Sequence, residues 1–395
     1  MTVAQIIAAI ALAGWVWLAA ARGMYWRTNI RLPAAPDPIA WPSVAVVIPA
    51  RDELAVLPTS LPTVVGQDYL GRISITLVDD GSTDGTGSAV VVRWPEVAVV
   101  DPGVPDDGWA GKLWALRAGV ATVVGSDEDP VDYFLFTDAD IAHEPDSLSG
   151  LVRAAEAGEL DLVSQMARLR VQSGWERLVV PAFVYFFALL YPFRWSNRPR
   201  HRTAAAAGGC TLIRRTALER AGGLDAIRDA VIDDVALAKA VKRSGGRTFL
   251  GLADHVTSIR PYPRLDTLWQ MVARSAFAQL KRSVTLLAGT VVGLAVMFWV
   301  PVVALVVGAA VGDVGTVALG AAGYGLMAAL FVPMLRYYRL SPLLALALPF
   351  TATLYLGMTV DSAVQHFRGR GASWKGRTYH ATRDANPPQP SKSSS

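Results

Sequence analysis

Apolar residues are massed at the two ends of this chain and thinned in its middle. Val3 to Ala21 is apolar apart from Gln5. A helix needs about 20 such residues to cross a bilayer, so the run is long enough. A cleavable secretion signal is the competing reading, with Ala19-Ala20-Ala21 as its cleavage site. Against it, no Lys or Arg precedes the run, whereas signal peptides carry positive charge there. Arg22, Arg27 and Arg31 follow it instead, which puts the next domain on the cytoplasmic side. Three more apolar stretches lie near the other end, Val284 to Val311, Val314 to Met334 and Leu343 to Val360. Gly312-Asp313 and then Arg336-Tyr337-Tyr338-Arg339 separate them. A buried core helix explains one such stretch but not three in succession. Arg274, Lys281 and Arg282 set the start of the first inside, and Arg336 and Arg339 set the loop after the second inside. A third crossing would then carry the basic tail outside. With Pro342 and Pro349 in it, the third stretch is expected to be re-entrant or interfacial, and the tail cytoplasmic. The last dozen residues, rich in Pro and Ser, are expected to be disordered.

Between these ends the pattern changes to short apolar runs alternating with helical segments. Val44 to Ile48 ends in Pro49-Ala50-Arg51-Asp52-Glu53. Ile73 to Val78 ends in Asp79-Asp80-Gly81-Ser82-Thr83-Asp84, and Tyr133 to Phe136 ends in Thr137-Asp138-Ala139-Asp140. Runs buried on both faces suit parallel strands. Leu54 to Val65 and Lys112 to Val124 have helical character between them. The alternation predicts a doubly wound α/β sheet. In such sheets ligands bind beyond the carboxyl ends of the strands, so three carboxylate clusters are expected to converge on one crevice. That convergence is the reason to expect an enzyme.

Composition sharpens this partition. Of 395 residues, 52% are hydrophobic and 18% charged, and the mean hydropathy is +0.33. Soluble proteins carry about 25% charged residues, so a disordered chain is excluded and a wholly soluble one disfavoured. The net charge of +4 fits a membrane protein facing anionic lipid and does not call for nucleic acid. Cys210 is the only cysteine, which excludes an intrachain disulfide and any Cys-based metal site.

The candidate chemistry sits at the strand ends. No glycine-rich phosphate loop follows the first strand, which argues against P-loop and dinucleotide enzymes. A nucleotide held without such a cradle needs another way to manage its phosphates. Asp138 and Asp140, at i and i+2 after a strand, suit Mg²⁺ or Mn²⁺ through oxygen ligands, and the cation would neutralise a departing diphosphate. A plain polar turn is the alternative. Asp79-Asp80 offers acceptors to a nucleobase, or a turn and helix cap. Arg51 and Glu53 are placed to touch base or ribose, and Lys112 to pair with a phosphate or to face solvent at a helix start. Asp233-Asp234 opens a helix over Val235 to Arg243, either as an N-cap or as a general base that takes a hydroxyl proton. Trp175 to Phe193, interrupted by Pro181 and Pro192, is expected to be core or to lie at the membrane surface beside the crevice. Arg194, Arg198, Arg200 and Arg202 after it suit anionic headgroups or form a solvated loop. His255 is either a third metal ligand or structural. No Ser-His-Asp pattern and no HExxH spacing is visible.

Taken in order, Val47-Ile48-Pro49-Ala50-Arg51-Asp52-Glu53, Val78 to Asp84, Lys112, Asp138-Ala139-Asp140 and Ile232-Asp233-Asp234-Val235-Ala236-Leu237 resemble the motifs of family 2 glycosyltransferases, over roughly residues 42 to 283. Gly111 to Ala115, Thr203 to Cys210, Ala240 to Gly246, Met271 to Arg274 and Trp374 to Arg377 narrow the likeness to the bacterial hopene-associated glycosyltransferases. The resemblance implies a GT-A fold, an inverting reaction, a nucleotide-diphosphate sugar donor and a membrane lipid acceptor such as a hopanoid. It implies that Pro49, Ala50, Arg51, Glu53, Asp79, Asp80 and Lys112 hold the donor. Asp138 and Asp140 would hold the divalent cation and diphosphate, and Asp234 would be the base, with Asp233 in place of the usual Glu. Processive members carry Q-x-x-R-W. Here Gln270-Met271-Val272-Ala273-Arg274-Ser275 has one extra spacer and no Trp, which favours a single transfer while Gln270 and Arg274 still face the diphosphate. A polyprenyl-phosphate sugar transferase and a non-catalytic membrane scaffold that binds nucleotide sugar are the rival readings. The expected organisation is an anchor at 1–22, a cytoplasmic GT-A domain at 30–283, a membrane region of two to three helices at 284–364 and a basic tail at 365–395. The whole would sit in the bacterial inner membrane.

Overall fold

The computed structural model describes residues 1–126 and 130–369, and the paired short strands Ser373–Trp374 and Arg377–Thr378. The expectations for the tail beyond Gly369 otherwise lie outside the described residues.

Helix α1 (Val3–Ala21) starts at a capping box, in which the Thr2 hydroxyl accepts from Gln5 N and the Gln5 side chain accepts from Thr2 N. The alternation then follows: β1 (Val44–Ala50), α2 (Leu57–Val65), β2 (Ile73–Asp79), α3 (Thr86–Arg93), β3 (Ala98–Val100), α4 (Gly111–Val124) and β4 (Tyr133–Thr137). Every residue of β1 is buried. Its side chains alternate between two cores: Val44, Val46 and Ile48 pack with Leu57 and Leu61, while Ala45 and Val47 pack with Leu113 and Leu116. Next come β5 (Ile141–His143), α5 (Ser147–Ala157), β6 (Leu162–Leu169), α6 (Gly174–Leu190), α7 (Phe193–Ser196), β7 (Cys210–Arg214) and α8 (Arg215–Arg220). Helix α9 (Asp233–Arg243), β8 (Thr248–Ser258) and α10 (Leu265–Gln279) complete the domain.

The eight strands form one sheet in the order β3-β2-β1-β4-β7-β6-β8-β5. Strand β1 pairs parallel with both β2 and β4, and β2 with β3, as expected. Beyond β4 the expected parallel sheet becomes mixed. Strand β7 runs antiparallel to β4 and β6, and β5 antiparallel to β8. Only Asp138, Ala139 and Asp140 separate β4 from β5. A parallel return needs a crossover of a dozen or more residues, so the chain leaves β4 by turning to the far edge of the sheet. That turn is where the Asp-x-Asp pair sits.

The membrane region contains α11 (Val284–Leu294), a π turn at Ala295–Trp299, α12 (Val300–Val311), α13 (Val314–Tyr337), a 3₁₀ turn at Pro342–Ala347 and α14 (Leu348–Phe367). Among the described residues, four helical stretches are long and apolar enough to cross a membrane: Val3–Ala21, Val284–Val311, Val314–Tyr337 and Pro342–Phe367. In the last, Pro342 and Pro349 both stand at the start of their helical segments, where a missing N–H breaks nothing. The 3₁₀ turn leads directly into α14, so the two prolines do not interrupt the helix. Pro181 likewise lies inside α6 without ending it, and only Pro192 follows its end. Buried neighbours on α6 outweigh the lost helical bond, which costs about 3 kcal/mol. The cores of the two regions are continuous. Trp15 of α1, Val180 and Tyr185 of α6, Phe331 of α13 and Tyr355 of α14 belong to one buried cluster with Leu252 and Leu268.

Candidate active site

A cavity of about 1210 Å³ opens at the carboxyl ends of β1 and β4. Pro49, Glu53, Lys112, Asp138, Asp140, Asp234, Gln270 and Arg274 all line it. Ala50, Arg51, Asp79 and Asp80 do not. Asp79 is used up in its own turn, accepting from Ser82 N at 3.0 Å and Gly87 N at 3.0 Å. Asp80 is fully buried beside Arg51, whose guanidinium lies 3.5 Å from its carboxylate and donates to its carbonyl at 2.7 Å. Two of the three expected carboxylate clusters thus share the cavity wall, and the third adjoins it.

Charge balance explains the arrangement. Lys112, on the first turn of α4, places Nζ 2.7 Å from Asp138 and 3.4 Å from Asp233. Burial alone would lower the lysine pKa, but the Asp138 and Asp233 carboxylates raise it, so Lys112 stays charged. Asp234, at the start of α9, accepts from its neighbour Val235 N at 2.7 Å and from Gly208 N at 2.9 Å. Desolvation, then the like charge of Asp233, push its pKa up to about 7 against the pull of Lys112 and these bonds. The chain packs closely here: a Cβ added at Gly208 would lie 3.1 Å from Lys112 Nζ and 3.5 Å from Asp234 Oδ2.

Arg260, two residues past β8, was missed in the sequence. Its guanidinium grips the buried Glu53 carboxylate at 2.6 and 2.7 Å and approaches Asp140 at 3.3 Å. Ser258 Oγ donates to the same Asp140 at 2.7 Å. Burial would lower the Arg260 pKa, and Asp140 and Glu53 raise it instead. The missed signal is the strand-end rule itself: Thr248 to Ser258 is a strand, and Arg260-Pro261 follows it as the acidic clusters follow β1 and β4. A second unread residue holds this loop. Buried Glu176 accepts from Gln172 N, Ser173 N and Tyr262 N, all at 2.7–2.8 Å, tying the start of α6 to the segment after Arg260.

The donors present suit a hard cation. Asp138 and Asp140 offer oxygen ligands on the cavity wall, and each is balanced by a side-chain cation, Lys112 or Arg260. His255 is not on this wall. It pairs with Glu144 at 2.9 Å and Asp146 at 3.3 Å, and these three exposed groups form a separate cluster with metal-ligand spacing. Away from the strand ends the cavity continues between α6, α10 and α14. Phe183, Phe187, Met271 and Phe277 make this arm apolar, and Arg274 and Arg282 lie on it.

Residues 45–222 match the family model described as Glycosyl transferase family 2. Polyprenol monophosphomannose synthase of Mycolicibacterium smegmatis is 32% identical over 133 residues, which is 29% of this chain and 44% of that one. N-acetylglucosaminyl-diphospho-decaprenol L-rhamnosyltransferase of Mycobacterium tuberculosis is 26% identical over 194 residues, 44% of this chain and 62% of that one. The chain thus spans less than two thirds of either relative. A mannosyltransferase from Pyrobaculum calidifontis, solved with GDP-Man and Mn²⁺, superposes with a TM-score of 0.54 at 20% identity, covering 92% of this chain and 99% of that one. The likeness at that identity is one of fold. Residues 45–222 therefore resemble family 2 glycosyltransferases, and the chain that carries them has the GT-A fold with candidate membrane helices on both sides.

Proposed function

We propose that the protein is an inverting glycosyltransferase that moves one sugar from a nucleotide-diphosphate sugar to a lipid alcohol in the membrane. A hopanoid is the acceptor that the motif resemblance favours. The observation that carries this reading is a single cavity that joins Asp234, Lys112, Asp138 and Asp140 to an apolar arm on the membrane-packed helices. Asp234 takes the acceptor hydroxyl proton as oxygen attacks the anomeric carbon, and the nucleoside diphosphate leaves from the opposite face. Lys112 supplies positive charge where the diphosphate departs, and Gln270 and Arg274, one helical turn apart on α10, face the same space. Asp138 and Asp140 hold a divalent cation, Mg²⁺ or Mn²⁺, which when bound neutralises the leaving group. Pro49 and Glu53 bound the donor side of the cavity, and Ala50, Arg51, Asp79 and Asp80 support it from the adjoining strand ends. The run of Arg22, Arg27 and Arg31 after α1 supports a cytoplasmic domain on the bacterial inner membrane.

A second reading has its own support. Arg274 and Arg282 lie on the apolar arm, where they suit an acceptor carrying a phosphate, as in a polyprenyl phosphate. A phosphate oxygen needs no base. The test offers radiolabelled UDP- and GDP-sugars to membranes loaded with a hopanoid alcohol or with a polyprenyl phosphate. Loss of transfer in Asp234→Asn with the alcohol as sole acceptor is the expected result. Transfer only to the phosphate, undiminished in Asp234→Asn, would overturn the first reading in favour of the second.

A further inference from the structure

Helix α7 and the loop from it to β7 carry Arg194, Arg198, Arg200 and Arg202, all exposed, and no acidic residue lies between Tyr191 and Ala207. None of the four makes an ion pair among the described residues. The loop is nevertheless built rather than loose. Lys242 donates to the carbonyls of Ser196 at 2.8 Å and Thr203 at 2.7 Å, and Asn197 bonds both the N–H and the carbonyl of Leu250.

Two contacts tie it to the ends of candidate membrane helices. At one edge, Trp195 stacks on His201 at 4.7 Å and lies under the guanidinium of Arg22, 5.0 Å from the ring centroid. Arg22 is the residue that ends α1, and it also donates to Leu189 O at 3.1 Å. At the other edge, Lys239 lies 5.7 Å from the ring of Tyr191, whose hydroxyl donates to Gln279 at the end of α10. Burial and then the charges of Arg243 and Lys281 depress the Lys239 pKa, and Lys281 stands three residues before α11 begins. His201 is depressed in the same way, by burial and then by Lys242, Arg198 and Arg22. One uncompensated positive surface therefore runs from the end of one candidate membrane helix to the start of the next.

We propose that Arg194, Arg198, Arg200, Arg202, Lys239 and Lys281 form a docking surface for the anionic phospholipid headgroups of the adjoining leaflet. Four observations support that occupant: headgroup depth at both edges, a Trp anchor, unopposed charge, and continuity with helices suited to span the bilayer. A nucleic acid would find the charge but would meet the bilayer at both edges. The proposal rests on the membrane placement and not on the sugar-transfer chemistry.

The test uses the full chain in lipid nanodiscs with a nitroxide at Pro199→Cys, since the native Cys210 is buried. Accessibility of the label to an aqueous nickel chelate is compared in phosphatidylcholine discs and in discs containing phosphatidylglycerol. The expected result is a fall of about twofold or more with the anionic lipid, from attraction at each basic residue. It is expected to return at about 1 M salt, where the Debye length shrinks to about 3 Å. The Arg194→Gln, Arg198→Gln, Arg200→Gln, Arg202→Gln variant is expected to lose the lipid dependence. The salt arm uses the unsubstituted loop, so the test stands even if that variant misfolds. Equal accessibility in both discs would overturn the proposal. So would protection by an added oligonucleotide but not by phosphatidylglycerol, or failure of the chain to enter discs at all. The last outcome alone would also remove the membrane placement.

Discussion

At the scale of single residues, charge compensation governs the site. As the proposed base, Asp234 acts only when ionised, and desolvation beside Asp233 pushes its pKa up to about 7. Transfer to an alcohol is therefore expected to fall as pH drops below about 7, with the break read in kcat/KM against pH. Asp234→Asn is expected to lower kcat by about 10²–10⁴-fold, the usual contribution of a positioned base. The same shift affects stability with the opposite sense. A carboxyl whose folded pKa lies above its ordinary value stabilises the fold at low pH and loses that contribution as pH rises through about 7. Arg260 presents a different balance. Its side chain is 24% exposed and faces a Glu53 side chain that is 8% exposed. Arg260→Met removes the two charged hydrogen bonds to the Glu53 carboxylate, and a loss of about 2–3 kcal/mol is expected, below the full cost of breaking a wholly buried pair. The measurement is thermal unfolding in detergent, with Arg260→Lys as the milder control. Lys112 and Arg260 also explain what was hard to foresee. The carboxylates were visible as strand-end motifs, but their cationic partners come from α4 and from the loop after β8. Only folding brings those segments to Asp138 and Asp140.

At the scale of elements, backbone groups decide where helices bend and meet. Pro301 has no N–H to give the carbonyl of Met297, four residues earlier, and the helix widens into a π turn over Ala295–Trp299. Trp15 of α1 fills the gap, donating its indole N–H to Met297 O at 2.6 Å. Trp15→Phe removes that bond and is expected to cost about 1 kcal/mol, measured as a lower midpoint in denaturing detergent. Helices α12 and α13 approach so closely that a Cβ at Gly320 would fall 2.5 Å from Leu305 N. Gly320→Val is expected to push them apart with a larger loss in the same assay. Helix α6 shows the link between membrane and site. Burial raises the Glu176 pKa, but the backbone N–H bonds from Ser173, Tyr262 and Gln172 outweigh it and hold the group below its ordinary value. This stabilisation is present above the ordinary carboxyl range and is lost as pH falls through the folded pKa. Glu176→Ala is expected to free the Arg260–Tyr262 segment and raise the donor KM more than it lowers kcat.

At the scale of the molecule, the sheet domain and the candidate membrane helices are not separable bodies. Tyr337 of α13 donates to Ala253 O in β8 at 2.6 Å, and its own carbonyl accepts from Arg168 of β6. Tyr355 of α14 donates to Val179 O in α6 at 2.9 Å, and the hydroxyls of Tyr25 and Tyr185 meet at 2.8 Å. Trp269 of α10 donates to Asp361 of α14 at 2.8 Å. A fragment of residues 30–283 exposes the apolar side of α6 and leaves these groups unpaired. It is expected to aggregate on size exclusion, whereas the full chain in detergent runs as a discrete species.

The partition into apolar ends and a strand–helix middle, and the acidic residues at strand ends, were legible in the sequence because each depends on local periodicity or on one motif. The parallel half of the sheet followed from fully apolar runs such as Val44 to Ile48. The mixed half did not, because the direction of β7 depends on where the chain re-enters the sheet, which no local pattern encodes. The same limit separates Asp138 and Asp140 from Asp79 and Asp80. All four close apolar strands, yet the first pair faces the cavity and the second is taken up by a turn and by Arg51. Sequence alone therefore determined that acidic residues gather at strand ends and that apolar helices flank them. Tertiary structure decided which carboxylates share a cavity, which cations oppose them and how the helices seal against the domain. Those depend on contacts between residues far apart in the chain, such as Lys112 with Asp233 and Arg260 with Glu53.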